Sequence, residues 1–227
     1  MAIQRLPSLA IAGHHSSGMG TPDHPMRIAT RRAAGLDAGG WTAELRDQVE
    51  KFFDDLAKEW HTRSSPERTA VVMDALSRGL DAVDYRGAGP FGPAAVRAGI
   101  AVEVGCGIGT YSNLLAARFA TVVAVDLSLP MLKLAPRGPA YRVQGDGAIL
   151  PLRDSSAAAV VLINAFLFPQ EVERVLSPGG ALVWVNSSGE QTPIYLSVED
   201  LVAQLPGEWT GASSRAGEGH WCVLRRA

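Results

Sequence analysis

From residue 100 onward the chain alternates short, nearly unbroken apolar segments with helix-patterned ones, and few architectures tolerate that rhythm. The apolar segments fall at residues 100–104, 121–125, 141–143, 160–163 and 181–185, with helical patterning at 111–119, 131–135 and 171–176. Strands that are apolar on both sides and separated by helices predict a parallel sheet covered on both faces. A helix at 198–205, capped by Ser197, precedes two last strands at 209–213 and 220–225. The link between those two, Arg215 to Gly219, suits a hairpin and is too short for a parallel crossover. The expected fold class is α/β: a seven-stranded, doubly wound, mostly parallel sheet with an antiparallel last strand.

Ahead of the sheet, Val49, Phe52, Phe53, Leu56, Ala57 and Trp60 recur at helical spacing and make one apolar stripe. A second helix is expected from Ser64-Ser65-Pro66-Glu67, with Val71, Val72, Ala75, Leu76 and Leu80 as its buried face. Residues 1–40 show neither periodicity and are interrupted by glycine and proline, so they read as a disordered leader. His14, His15 and His24 belong to it rather than to a metal site, and Met19 and Met26 are alternative starts. The expected organisation is a leader at 1–40, a helical preface at 41–98 and a ligand-binding α/β domain at 99–227.

The chain has 227 residues and a formal charge of -2, which gives no basic field for nucleic acid or an anionic membrane. Its longest apolar run, residues 157–169, falls short of the roughly 20 residues of a membrane-spanning helix. Two cysteines, Cys106 and Cys222, make no disulfide framework, and no Cys/His spacing suggests a metal. A cytoplasmic protein handling small molecules, as a monomer or homodimer, is the expectation.

The first sheet strand runs into Glu103-Val104-Gly105-Cys106-Gly107-Ile108-Gly109-Thr110, and a helix follows. Strand, glycine turn and helix N-terminus together form a ligand cradle. A dinucleotide fingerprint wants glycine where Thr110 stands. Glu103 would also repel a pyrophosphate, whereas it attracts a ligand carrying an ammonium or sulfonium group.

These residues resemble the first motif of the class I S-adenosylmethionine-dependent methyltransferases, above all small-molecule enzymes of the quinone-biosynthesis kind. Three further stretches fit the same family. Asp126 ends the second strand, about 20 residues after Gly105, with Leu127 beside it. Gly145-Asp146-Gly147-Ala148, followed by Leu150-Pro151, is similar to the family's adenine loop. Residues Glu173-Arg174-Val175-Leu176-Ser177-Pro178-Gly179-Gly180 are similar to the turn before its fifth strand. The acid common before the fourth strand is missing here, where the chain reads Ala157-Ala158-Ala159.

The resemblance implies S-adenosyl-L-methionine as cofactor and a small-molecule acceptor methylated at O, N or C. It implies Asp126 on the ribose hydroxyls, Asp146 and Gly147 on adenine, and Gly105, Cys106, Gly107 and Gly109 along the methionine end. Glu103 would lie near the cationic part and Asn164 beneath the methyl, its carbonyl facing the amino group. Asp126, Asp146 and Asn164 would each also serve simply as a cap or turn residue. Cys106 reads as a packing residue rather than a nucleophile.

The helical preface is the expected lid over this site. His61 is the base candidate, with Trp60, Arg63 and Tyr195 as acceptor contacts; Arg63 would alternatively pair with Glu59. Phe166-Leu167-Phe168-Pro169 after Asn164 departs from the pattern of adenine and cytosine amino-methylating enzymes. Two other readings remain open: a non-catalytic binder of the cofactor or its demethylated product, and an RNA or protein methyltransferase, which would need a basic apron.

Overall fold

A computed structural model describes residues 3–14, 20–84 and 97–227. His15 and Met19, and residues 85–96 of the Gly- and Pro-rich loop, lie outside the described residues. Eight strands form one sheet: β1 (Ile3–Arg5), β2 (Arg97–Val104), β3 (Phe119–Asp126), β4 (Tyr141–Gln144), β5 (Ala157–Ile163), β6 (Leu176–Asn186), β7 (Trp209–Ala216) and β8 (Gly219–Arg226). Their spatial order is β1-β7-β8-β6-β5-β2-β3-β4, and β8 alone runs against its neighbours β6 and β7. All seven expected strands are present and the last is antiparallel. The eighth, β1, comes from the segment expected to be disordered and pairs in parallel with β7 through Ile3, Gln4 and Arg5.

Period-two alternation sorts the sheet's side chains into two cores. Val102, Val160, Leu162, Leu182 and Trp184 face one side, where α7 (Pro169–Val175) and α8 (Val198–Gln204) add Val172, Val175, Leu201 and Val202. Ala101, Ala159, Val161, Val183 and Val185 face the other. The helix that covers this second face is α3 (Pro66–Asp74), which passes through a π-helical turn (Ala75–Gly79) into α4 (Leu80–Asp84). Its buried stripe is the expected one, and Ser65 Oγ accepts from Arg68 N–H as its cap. The stripe packs on the sheet, though, not over a site, so this half of the preface is not a lid. Gly79 permits the close approach: a Cβ there would stand 2.5 Å from Val223 and 2.9 Å from Trp221.

Trp221 is fully buried in that core, and its Nε1 donates to Asp74 Oδ2 at 2.7 Å while Arg78 donates to both Asp74 oxygens at 2.6 Å. Asp74→Ala would leave a buried indole N–H without an acceptor, a loss of about 2 kcal/mol. Urea denaturation is the check. Asp74→Asn, whose amide oxygen still accepts, should recover part of the loss.

The leader is corrected more fully by α1 (Pro25–Ala34), which follows β1. His24 Nδ1 accepts from Met26 N–H at its start, and Gly35, with φ 83°, ends it. Ala34 reaches the first core, and Met26 and Ala29 join a third cluster with Val49 and Ile194. Short apolar contacts scattered among glycines have no period to read, yet they bury well against a preformed sheet edge. The Val49–Trp60 stripe forms α2 (Ala43–Leu56), capped by Thr42, and then tightens into a 3-10 turn (Ala57–Arg63). Helices α5 (Ser112–Ala116) and α6 (Leu129–Leu134) complete the crossovers. Among the described residues no helix is long and apolar enough to cross a membrane.

Candidate active site

The carboxyl ends of β2, β3, β4, β5 and β6 open onto one cavity of about 430 Å³, within the ordinary range for small-molecule sites. Strand order reverses at β2, with β3 on one side and β5 on the other, and ligands of open α/β sheets bind at such a switch point. Gly105 and Gly107 sit there with φ of 68° and 55°, values that L side chains rarely adopt. Gly147 has a different reason to be glycine: a Cβ would lie 2.7 Å from Val104 and 2.9 Å from Phe168.

Three carboxylates line the cavity. Asp126 accepts from Gly107 N–H at 2.6 Å and Ser128 N–H at 2.8 Å, so it braces the glycine turn against the next loop. Burial pushes its carboxyl upward against those two donors. Glu103, 2% exposed, accepts from Ser112 Oγ at 2.6 Å, and burial raises its carboxyl to about 7. Asp146 accepts from Ala148 N–H at 2.8 Å and from the indole of Trp41 at 3.0 and 3.2 Å. Asn164, at φ 51°, spends its amide on Ser187, donating to Oγ and accepting from N–H, which ties the ends of β5 and β6 together.

Most of the expected residues meet at this cavity: Glu103, Gly105, Cys106, Gly107, Asp126, Leu127, Asp146, Gly147, Asn164, Trp60 and Arg63 all line it. Cys106 is buried and its thiol is raised far from reactivity by burial, as a packing residue should be. Three residues do not join them. Gly109, at φ 70°, faces Ser112 and Ala135 behind the turn. His61 is exposed, with Nδ1 beside Lys58 O, because the 3-10 turn rotates it outward while Trp60 turns in. Tyr195 packs on His220 and under the Arg27 guanidinium, away from the cavity. Arg63 lines the cavity without an ion pair to Glu59.

The cavity wall facing the sheet edge combines residues of the expected helical stripe with contacts that no sequence pattern marks. Trp41 stacks against Phe166 and Phe168 at centroid distances of 5.4 and 5.2 Å. Phe52, Phe53 and Trp60 form an edge-to-face chain above the glycine turn. Asp54 of α2 accepts from Ser128 Oγ at 2.5 Å, next to the Asp126 contact. Arg27 of α1 donates to Pro193 O, Gly20 O, Glu190 O and Thr192 O, stitching the leader to the loop after β6. The contacts of Trp41, of Asp54 with Ser128 and of Arg27 with the loop after β6 carry no local pattern, since each joins segments more than 70 residues apart, whereas Phe52, Phe53 and Trp60 belong to the expected helical stripe. Arg27→Ala should free the loop at 189–194 and cost about 2 kcal/mol, given three partly buried bonds and one exposed bond from a charged donor. Faster amide hydrogen exchange confined to that loop and α1 is the expected signature.

A sheet of this order, with a glycine turn and three carboxylates at its switch point, defines a Rossmann-like α/β protein for a cationic nucleoside rather than a diphosphate. The comparisons agree. A model described as a methyltransferase domain matches residues 102–184. The demethylmenaquinone methyltransferase of Paenarthrobacter aurescens is 31% identical over 189 residues, covering 74% of this chain and 67% of that one. The trans-aconitate 2-methyltransferase of Paracidovorax citrulli is 32% identical over 117 residues, 46% of this chain and 45% of that one. The solved DhpI–SAH complex superposes with a TM-score of 0.62 at 17% identity, over 82% of this chain and 99% of that one. The chain belongs to the class I S-adenosylmethionine-dependent methyltransferases, and S-adenosyl-L-methionine is its cofactor. The residues present fit that group: acid-lined walls for its cationic part and its hydroxyl and amine donors, and a glycine turn that a Cβ would obstruct.

Proposed function

We propose that this enzyme methylates a small-molecule acceptor enclosed beneath the lid formed by α1, α2 and the 3-10 turn. The observation that carries this reading is the cavity itself. It extends from the glycine turn into a chamber walled by Phe52, Phe53, Trp60, Phe166 and Ile194, a shape for a compact acceptor and not for a polymer. The names of the two curated relatives, which concern menaquinone and aconitate chemistry, support the same class of acceptor. Both cysteines are free and buried, which suits a reducing, cytoplasmic setting.

In this reading Asp126 accepts from the ribose hydroxyls, and Asp146, held in place by Trp41 and Ala148, accepts from the adenine amine. Glu103 and the Asn164 carbonyl face the ammonium end. The cofactor supplies a methyl group already activated by sulfonium, so this chain's residues need only align the acceptor in line and keep water out. The aromatic chamber does both. A side-chain base need not exist for an acceptor that attacks as an anion or as a neutral amine that loses its proton to solvent afterwards. His61 is turned outward, and His24, the imidazole on the wall, uses Nδ1 to accept from Met26 N–H. Its remaining nitrogen therefore carries the proton and serves as a donor in the neutral ring.

The test is calorimetry with S-adenosylmethionine and its demethylated product, followed by transfer of a labelled methyl group to a metabolite extract. Label in a low-mass product is the expected result. Uptake of both nucleosides with no labelled product would make the chain a binder, and label in RNA or protein would overturn the acceptor class.

A further inference from the structure

Most arginines of this chain that lie near a carboxylate are matched to it. Arg31 pairs with Asp37, Arg46 with Asp47, Arg78 with Asp74, Arg174 with Glu171 and Asp154, and Arg226 with Glu173. Arg63 and Arg68 differ. Both are half-buried on the wall of the cavity, and among the described residues neither forms an ion pair. Desolvating a guanidinium without a counter-charge is costly, so two on one wall ask for an anion in the space they face.

Their setting is built. The Arg63 guanidinium lies 5.7 Å from the centroid of Trp60, and Trp60 Nε1 stands over Gly107, where a Cβ would approach it to 3.2 Å. Arg68 Nη1 donates to Arg63 O at 2.7 Å, which fixes the end of the 3-10 turn and brings the two side chains to one place. Tyr111 closes the group from α5's start: burial raises its phenol, and the Arg68 charge offsets part of that rise. Glu103 lines the same cavity, so charges of both signs face it.

We propose that Arg63 and Arg68, with the Tyr111 hydroxyl, form a carboxylate-binding pair at the glycine-turn end of the cavity. Planar guanidiniums suit a carboxylate because two N–H groups meet its two oxygens in parallel. The anion has two sources, the α-carboxylate of the cofactor or an acid group on the acceptor, and the chemistry of recognition is the same for both. The inference rests on the methyltransferase reading of the cavity.

Arg63→Gln is the cleaner variant, because among the described residues the Arg63 side chain makes no hydrogen bond. Arg68→Gln also loses its bond to Arg63 O and is used only where its thermal transition matches that of the wild type. Calorimetry on the full chain compares three probes: S-adenosylhomocysteine, 5′-methylthioadenosine, which lacks the amino-acid end, and benzoate added at saturating S-adenosylhomocysteine. A tenfold to hundredfold loss for S-adenosylhomocysteine, with methylthioadenosine unchanged, assigns the pair to the cofactor's carboxylate. Unchanged nucleoside affinities with loss of the wild-type benzoate site assign it to the acceptor. All three probes within twofold of wild type, or both nucleosides weakened equally, would overturn the pair. Failure of the wild type to take up either nucleoside would instead overturn the methyltransferase reading beneath it.

Discussion

Asp126→Ala is expected to weaken S-adenosylhomocysteine binding by at least a hundredfold. The carboxylate is buried, pre-aimed by Gly107 N–H and Ser128 N–H, and placed at the carboxyl end of β3 beside the glycine turn. Two hydroxyl donors on one charged acceptor are worth about 3 kcal/mol, which is that hundredfold. The substitution also orphans two backbone donors, so the titration must be read on protein whose circular dichroism matches wild type. Asp126→Asn keeps one strong acceptor and should lose about tenfold. An alanine variant within threefold of wild type would remove Asp126 from the cofactor site altogether.

The second large effect is on stability, and it comes from Glu103. Burial raises this carboxyl from 4.5 to about 7, reinforced by Asp126 and opposed by the Ser112 hydroxyl. A folded-state value above the unfolded one means that the stabilising contribution is complete below pH 4.5 and is lost as pH rises through 7. In the ligand-free protein this one group should therefore cost about 3 kcal/mol of stability between those limits. Glu103→Gln retains an acceptor for Ser112 without the buried charge, so it should flatten that dependence and raise Tm at pH 8. The same variant should bind S-adenosylmethionine more weakly, because the cationic end loses its counter-charge. Parallel stability curves for variant and wild type across pH 5 to 8 would show that Glu103 does not titrate there.

Both carboxylates line the same cavity and burial raises both, so a bound cation is expected to offset that cost. Asp54 connects that site to the lid. Through Ser128 Oγ it links α2 to the loop that Asp126 braces, so β3 and α2 share one hydrogen-bonded chain. Trp41 does the same on the other flank, joining the start of the helical preface to Asp146. The aromatic wall is thus tied to the carboxyl ends of β3 and β4.

What could be read along the chain, and what could not, follows from the range of the forces involved. The strands, the antiparallel return of β8, the Ser65 and Ser197 caps, and the glycine turn with Glu103, Asp126 and Asp146 are local matters. Each depends on spacing or on the backbone freedom of a few neighbouring residues, and so was legible. His61 and Tyr195 show the limit: residue type nominated them, but the pitch of a 3-10 turn and a cation stacked on a ring decide which way they face. The leader shows it again. Ile3–Arg5 and Arg27, like Trp41 at the start of the preface, carry no period of their own and meet a sheet edge, a carbonyl cluster and Asp146 brought from more than 100 residues away. The sequence by itself determined the sheet and the glycine-turn edge of the cavity, because hydrophobic alternation and glycine turns act over a few residues. Only the tertiary structure decided the aromatic wall that faces them, because it is made by burial between segments that meet nowhere but in the folded chain.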